Sequence, residues 1–327
     1  MWAAKKYMAL LLFVSLATIA KAQQTIQFSQ YMFDGLALNP AYAGYKEDLT
    51  LNLTDRIQWV GINDAPQTSS VAVDGLANQD NKNVGLGFIA TLDQLGPESS
   101  VSAYANYAYR LRLDELDTKR LCFGIGVGVL QYSLDGSKFN PLDEGDESVP
   151  AGSVSKITPD FRFGVYYSSP SVYFGASVFN LLSGAFNNIV DDPEIIKPVR
   201  TFYLTGGGMV PLTDGIDLKP SFMVKEDFKG PTNIDLTSYL TFNRIFWIGA
   251  TYRLGISAWG SNLQNNLQGQ DAVAAIMQYY INERFRVGYA YDFTVSKLAG
   301  YQNGTHELSL SISFPNKKQR VISPRYF

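Results

Sequence analysis

His306, the only histidine of the 327 residues, is followed by Glu307 and then by Ser309, types that can serve hydrolysis as base, orienting carboxylate and nucleophile. Such a set works only if the three groups converge. They sit in a run where Thr305, Glu307, Ser309, Ser311 and Ser313 alternate with His306, Leu308, Leu310, Ile312 and Phe314. A period of two sends successive side chains to opposite faces, so His306 points away from Glu307 and Ser309. No GxSxG elbow occurs, and the single cysteine, Cys122, has no partner for an internal disulfide. The acidic group Asp135, Asp143, Glu144, Asp146 and Glu147 lacks the spacing of an EF-hand loop and reads as a solvated loop. Gly124, Gly126 and Gly128 lie at period two inside a strand-like run with no helix after it. They therefore signal close backbone approach or curvature and not a nucleotide loop. The residues give no reason to expect an enzyme, a cofactor or a metal centre.

What remains is a set of charges of both signs on the polar faces of strands: Arg110, Arg112, Asp160, Arg162, Arg286, Asp292 and Glu307. The elements that position them are written by alternation. Phe285, Val287, Tyr289, Tyr291, Phe293 and Val295 oppose Arg286, Gly288, Ala290, Asp292, Thr294 and Ser296. The same rule holds around Val101 to Arg112, Leu121 to Val129 and Asp160 to Tyr167. Strand-like runs recur near 48-58, 68-75, 83-92, 99-111, 120-132, 158-168, 171-180, 200-210, 216-226, 233-243, 245-254, 272-281, 285-295 and 305-314. Runs 216-226 and 272-281 are less regular, which leaves the count of about 14 open by two. Their lengths approach the roughly 9 to 11 residues of a tilted membrane strand.

A soluble sandwich and a membrane barrel both write such alternation, and the connections separate them. Odd-to-even connections tend to be long (59-67, 133-157, 181-199, 255-271), whereas even-to-odd ones tend to be short, as at Ser169-Pro170 and Asn243-Arg244, although 76-82 and 112-119 are longer. An up-and-down barrel in an outer membrane keeps long loops on one side and short turns on the other, and a Greek-key sandwich has no reason to. The fold expected is all-β: an up-and-down antiparallel transmembrane β-barrel of outer-membrane type. Its apolar face then meets lipid, with Tyr107, Tyr109, Tyr167, Tyr289 and Tyr291 as an interfacial girdle, and its polar face lines the lumen. The seven charges form an ion-pair network there in the plainest reading; a solute pathway or a peptide-binding interior are the others.

The start of the chain fits export. Lys5 and Lys6, an apolar run from Tyr7 to Ala20 and the small-x-small Ala20-Lys21-Ala22 read as a signal peptide over residues 1-22. Residues 23-47 lack sustained alternation and are expected to be a pre-barrel segment and candidate plug, 48-314 the barrel, and 315-327 a basic tail. Net charge is -3 with no basic block in the body, so nucleic acid is not an expected partner.

Certain motifs recur in a fixed order: Gln30-Tyr31-Met32, Asn39-Pro40-Ala41-Tyr42-Ala43-Gly44, Arg56, Gln58-Trp59, Pro66, Thr68, Asn106-Tyr107-Ala108-Tyr109-Arg110, Asp235-Leu236, Tyr252-Arg253, Gly288-Tyr289-Ala290-Tyr291-Asp292-Phe293 and His306-Glu307. In these the chain resembles the PorP/SprF family of outer-membrane proteins associated with type IX secretion and gliding motility in Bacteroidetes. The resemblance implies a non-enzymatic component that binds secreted cargo proteins bearing C-terminal signal domains, and assists their export or surface attachment alongside other type IX components. It gives no role to Asn39, Pro40, Trp59, Pro66 or His306. The competing expectation is an outer-membrane channel or transporter for small or apolar solutes. The thirteen residues after Phe314 depart from barrels that finish on an aromatic, and leave Phe314 and Phe327 as rival terminal signals.

Overall fold

The computed structural model describes residues 27–139, 152–183, 198–256, 258, 269–296 and 299–315. The expected signal peptide, the acidic residues 143-147 and all but the first residue of the basic tail lie outside the described residues.

Alternation becomes an antiparallel ring. In chain order the strands are β1 (Leu49–Ile57), β2 (Gln67–Leu76), β3 (Val84–Leu95), β4 (Glu98–Arg112), β5 (Arg120–Asp135), β6 (Ser153–Ser168), β7 (Val172–Phe179), β8 (Thr201–Gly208), β9 (Val210–Thr213), β10 (Ile216–Glu226), β11 (Thr232–Phe242), β12 (Phe246–Ile256), β13 (Gly269–Tyr280), β14 (Phe285–Thr294) and β15 (Thr305–Phe314). Apart from β8 and β9, which both lie against β10, each pairs with its neighbours in sequence; β10 also bonds β11, and β1 bonds β15, so the sheet closes. β8 and β9 are two pieces of one stave broken at Met209, which makes fourteen staves in all. Closure leaves no edge strand, the condition that lipid imposes on a spanning sheet, although among the described residues β6 before Phe163 is laddered only to β5 and β9 only to β10.

The faces fall as the period requires. Phe123, Ile125, Val127, Val129, Phe285, Phe293 and Leu308 are exposed on the outside, while Cys122, Gly124, Gly126, Arg286, Asp292, Glu307 and Ser309 are buried inside. Tyr107 and Tyr109 face out as well. An apolar sheath running round the whole ring is a surface for hydrocarbon and an aggregation hazard in water.

Three expectations need correction. The stave near 200-210 continues past its break to Thr213, and its turn is only Asp214 and Gly215, the latter at φ 80°. β5 and β6 extend farther than their alternation suggests, so the connection between them begins at 136 and ends at 152. The parity of connections has exceptions at both ends: β3 passes to β4 through Gly96 and Pro97 alone, while 77–83 and 113–119 on the other side run to seven residues each. Gly96 takes φ 56° and allows so tight a turn. The connections of β1 to β2, β5 to β6, β7 to β8, β12 to β13 and β14 to β15 leave from one end of the barrel, called here the long-loop end; the opposite one is the short-turn end.

Candidate functional site: the lumen and its N-terminal segment

Residues 27–47 lie inside the ring. They have too few alternating residues for a strand and too many turn formers for a helix, and they fold as three short 3-10 turns: Tyr31–Phe33, Gly35–Ala37 and Pro40–Tyr42. Asn39 starts the last turn, accepting from the Ala41 N–H through Oδ1 (2.9 Å), and Pro40 occupies the first position, where a missing N–H costs nothing. The Asn39 amide also donates to the carbonyls of Val165 (3.0 Å) and Ala176 (3.2 Å), tying the turn to β6 and β7. Asn39 and Pro40 thus gain a structural role that no sequence pattern assigns them.

The barrel makes room with glycine. A Cβ on Gly124 would collide with the backbone of Ala41, one on Gly85 with the carbonyl of Ala43, and one on Gly164 with the Asn39 side chain. The close backbone approach expected at Gly124 is therefore contact with the N-terminal segment, whereas Gly126 and Gly128 make space for Asn106 and Tyr104 of the neighbouring strand. Aromatic packing completes the fit: Phe33 meets Tyr239 and Trp247 edge-on (5.6 and 5.4 Å), and Tyr42 meets Tyr166 (5.6 Å).

Toward the long-loop end the segment is held by charge. Arg56 on β1 reaches Asp292 on β14 (2.7 Å) and Glu307 on β15 (2.9 Å), and Arg253 on β12 reaches Asp235 on β11 (3.0 Å) and Asp292 (3.3 Å). All five are buried. The segment enters this cluster directly. The backbone N–H groups of Ser29 and Gln30 donate to Glu307 (2.7 and 2.8 Å), the Ser29 hydroxyl donates to Asp292 (2.8 Å) and accepts from Arg56 (2.9 Å), and Gln27 donates to Asp235 (3.1 Å). Three carboxylates against two guanidiniums leave a surplus negative charge, which the segment's N–H and O–H donors answer.

The seven charges proposed from sequence do not form one network. Asp292 and Glu307 belong to the cluster. Asp160 instead accepts from the Tyr104 hydroxyl (2.9 Å), and Arg162 lies over the rings of Tyr104 (3.3 Å) and Phe179 (4.1 Å). Arg286 is buried with its guanidinium 4.5 Å from the Phe33 ring centroid, and Arg110 faces Glu47 at 3.7 Å near the short-turn end. Arg112 is exposed where β4 ends: its face is lumenal by parity, but the lumen stops before it. Arg56, Asp235, Arg253 and Ser29 went unassigned. The inward parity that Arg56 shares with Asn52 and Thr54 was the available signal.

His306 faces outward, its Nδ1 2.7 Å from the Tyr289 hydroxyl, while Glu307 faces in, so the apparent hydrolytic set is dispersed. Trp59 (φ 46°) and Pro66 shape the first long connection: Trp59 N–H donates to Thr305 Oγ1 (3.2 Å), and the Pro66 carbonyl accepts from Gln58 N–H (2.9 Å).

One lumenal carboxyl lies off the strands. Burial pushes Asp34 from its usual 3.8 up to about 6, with Lys46 and Arg286 pulling the other way. Its folded-state value exceeds its unfolded one, so its ionisation costs stability increasingly as pH rises from 3.8 and most above about 6, and the cost vanishes well below 3.8, where both states hold the proton. Asp34→Asn is therefore expected to stabilise the barrel at pH 7.5 by up to about 3 kcal/mol and to change little at pH 4, as read from urea midpoints in detergent.

Comparison with known proteins follows this geometry. Residues 20–312 match the family described as type IX secretion system membrane protein PorP/SprF. A comparison with curated proteins finds no match. Among solved structures, the Acinetobacter baumannii outer membrane protein Omp33 is 10% identical with TM-score 0.44, over 82% of this chain and 99% of that one. A mutant of the Rh. blastica porin is 9% identical with TM-score 0.35, over the same shares. With the family match running over nearly the whole closed barrel, the chain belongs to the PorP/SprF family of type IX secretion system membrane proteins.

Proposed function

We propose that the protein is a docking component of the type IX machinery in the outer membrane: it binds secreted cargo bearing C-terminal signal domains and assists its export or surface attachment, together with other components of the system. The observation that supports this reading is the occupied lumen. Residues 27–47 pack against inward-facing groups of β1, β4, β6, β7, β11, β12, β14 and β15, and an interior filled in this way offers no route for a polypeptide. Cargo contact then falls to the barrel's ends, above all to long connections such as 58–66 and 295–304. A channel or transporter for small or apolar solutes would need a continuous passage, and the packed interior speaks against it.

The test is deletion of the gene followed by quantification of secreted and surface proteins. Loss of one or a few type IX cargoes, restored by the full chain, is the expected result. Export of every cargo at the wild-type level would overturn the reading.

A further inference from the structure

The short-turn end carries cations that take no part in the lumenal cluster. β4 and β5 are joined there, and their register sets Arg112 directly opposite Arg120, with Arg110 two residues farther in. Like charges facing each other across a strand pair repel. Arg120 is answered by Asp117 (2.6 Å) and by the carbonyls of Lys82 (2.9 Å) and Arg110 (3.1 Å). Lys82 pairs with Glu47 at 2.8 Å, and Arg110 donates to the Lys82 carbonyl (3.3 Å). Arg112 is exposed and shares none of these contacts. Lys82, Arg110, Arg112 and Arg120 line a recess of about 500 Å³, whose wall also includes Tyr109 and Leu111. Against these four cations stand Asp80 and Asp117 on the lining and Glu47 beside it.

We propose that this recess binds a phosphate oxyanion, supplied by the headgroup of an anionic lipid in the periplasmic leaflet. Guanidinium forks match phosphate oxygens in pairs, and an anion between Arg112 and its neighbours relieves the repulsion that the register imposes. The lipid source follows from position. Short turns of such barrels face the periplasm, and Tyr109 and Leu111 turn exposed side chains outward on the same strand end. Acyl chains lie along those two residues while the phosphate reaches over the rim to Arg112, the arrangement in which basic pockets take anionic headgroups.

The full chain is placed in nanodiscs of phosphatidylcholine with a minor share of phosphatidylglycerol, released, and examined by native mass spectrometry. Wild type is expected to retain a single phosphatidylglycerol, and Arg112→Gln to retain it about tenfold less, equivalent to about 1.4 kcal/mol. Arg112 is exposed, so this variant should keep wild-type heat-modifiable mobility; Lys82→Gln provides a second variant with the same expected direction. Equal retention by wild type and both variants, or none by wild type, overturns the site. Displacement of the lipid by millimolar inorganic phosphate overturns the lipid source and assigns the recess to a free anion.

Discussion

Arg56→Ala is expected to destabilise the barrel more than any other single charge removal, by about 3–5 kcal/mol, the range for breaking a buried pair and leaving a charge uncompensated. The cluster holds Asp235, Asp292 and Glu307 against Arg56 and Arg253. Without Arg56 three buried carboxylates face one guanidinium, and Glu307 keeps only the donors of residues 29 and 30. Removal of Asp292 is gentler for the same reason. It leaves two carboxylates and two guanidiniums, with Arg56 still on Glu307 and Arg253 still on Asp235. The order expected in thermal midpoints, read from heat-modifiable gel mobility, is wild type, then Asp292→Ala, then Arg56→Ala. A midpoint for Arg56→Ala equal to that of wild type would remove the cluster as a source of stability.

The second large effect is expected from Gly124→Leu. An added Cβ there meets the backbone of residues 40 and 41, which no rotamer change can relieve, and overpacking of this kind costs about 1–3 kcal/mol. The strand pairs of β5 with β4 and β6 do not depend on the segment, so the ring is expected to survive while the turn at Pro40–Tyr42 is forced off its seat. Cys122 reports the outcome from within: it is the only cysteine, faces inward two residues away, and is 3% exposed. A hydrophilic maleimide should label it slowly in wild type and readily in Gly124→Leu, and planar bilayers should show steady conductance for the variant alone. A conducting wild type would favour the channel reading, and a variant with unlabelled Cys122 would mean that the segment accommodates the bulk.

The ring was readable from the chain because a period of two repeats in most staves, the runs 216-226 and 272-281 being less regular, and β10 and β15 end where their expected runs end. The break at Met209 was not: the pairing with β10 keeps one register across it, from Ser221 opposite Gly207 to Leu218 opposite Val210, and shifts only between Ile216 and Asp217 at the end of the stave. For the lumen, parity put Asp292 and Glu307 on the correct face but could not choose their partners. Ser29 and Asp292 are 263 residues apart, and they meet only once ring size and stagger are fixed. Arg112 shows the limit from the other side. Parity gives the direction of a side chain and not the height at which the wall ends. The segment itself carries no periodicity, and its trace is held in the inward glycines of the strands it touches.

β1 bonds β15, and Arg56 on one side of that join grips Glu307 on the other. The first stave cannot acquire its ionic partner until the last has been laid beside it. Seating of residues 29 and 30 waits on the same event, since Glu307 belongs to the final stave. Zipping of the cylinder and seating of the strap's first residues are thereby coupled, and a barrel short of its last strand would be unsealed with that end of the strap unanchored.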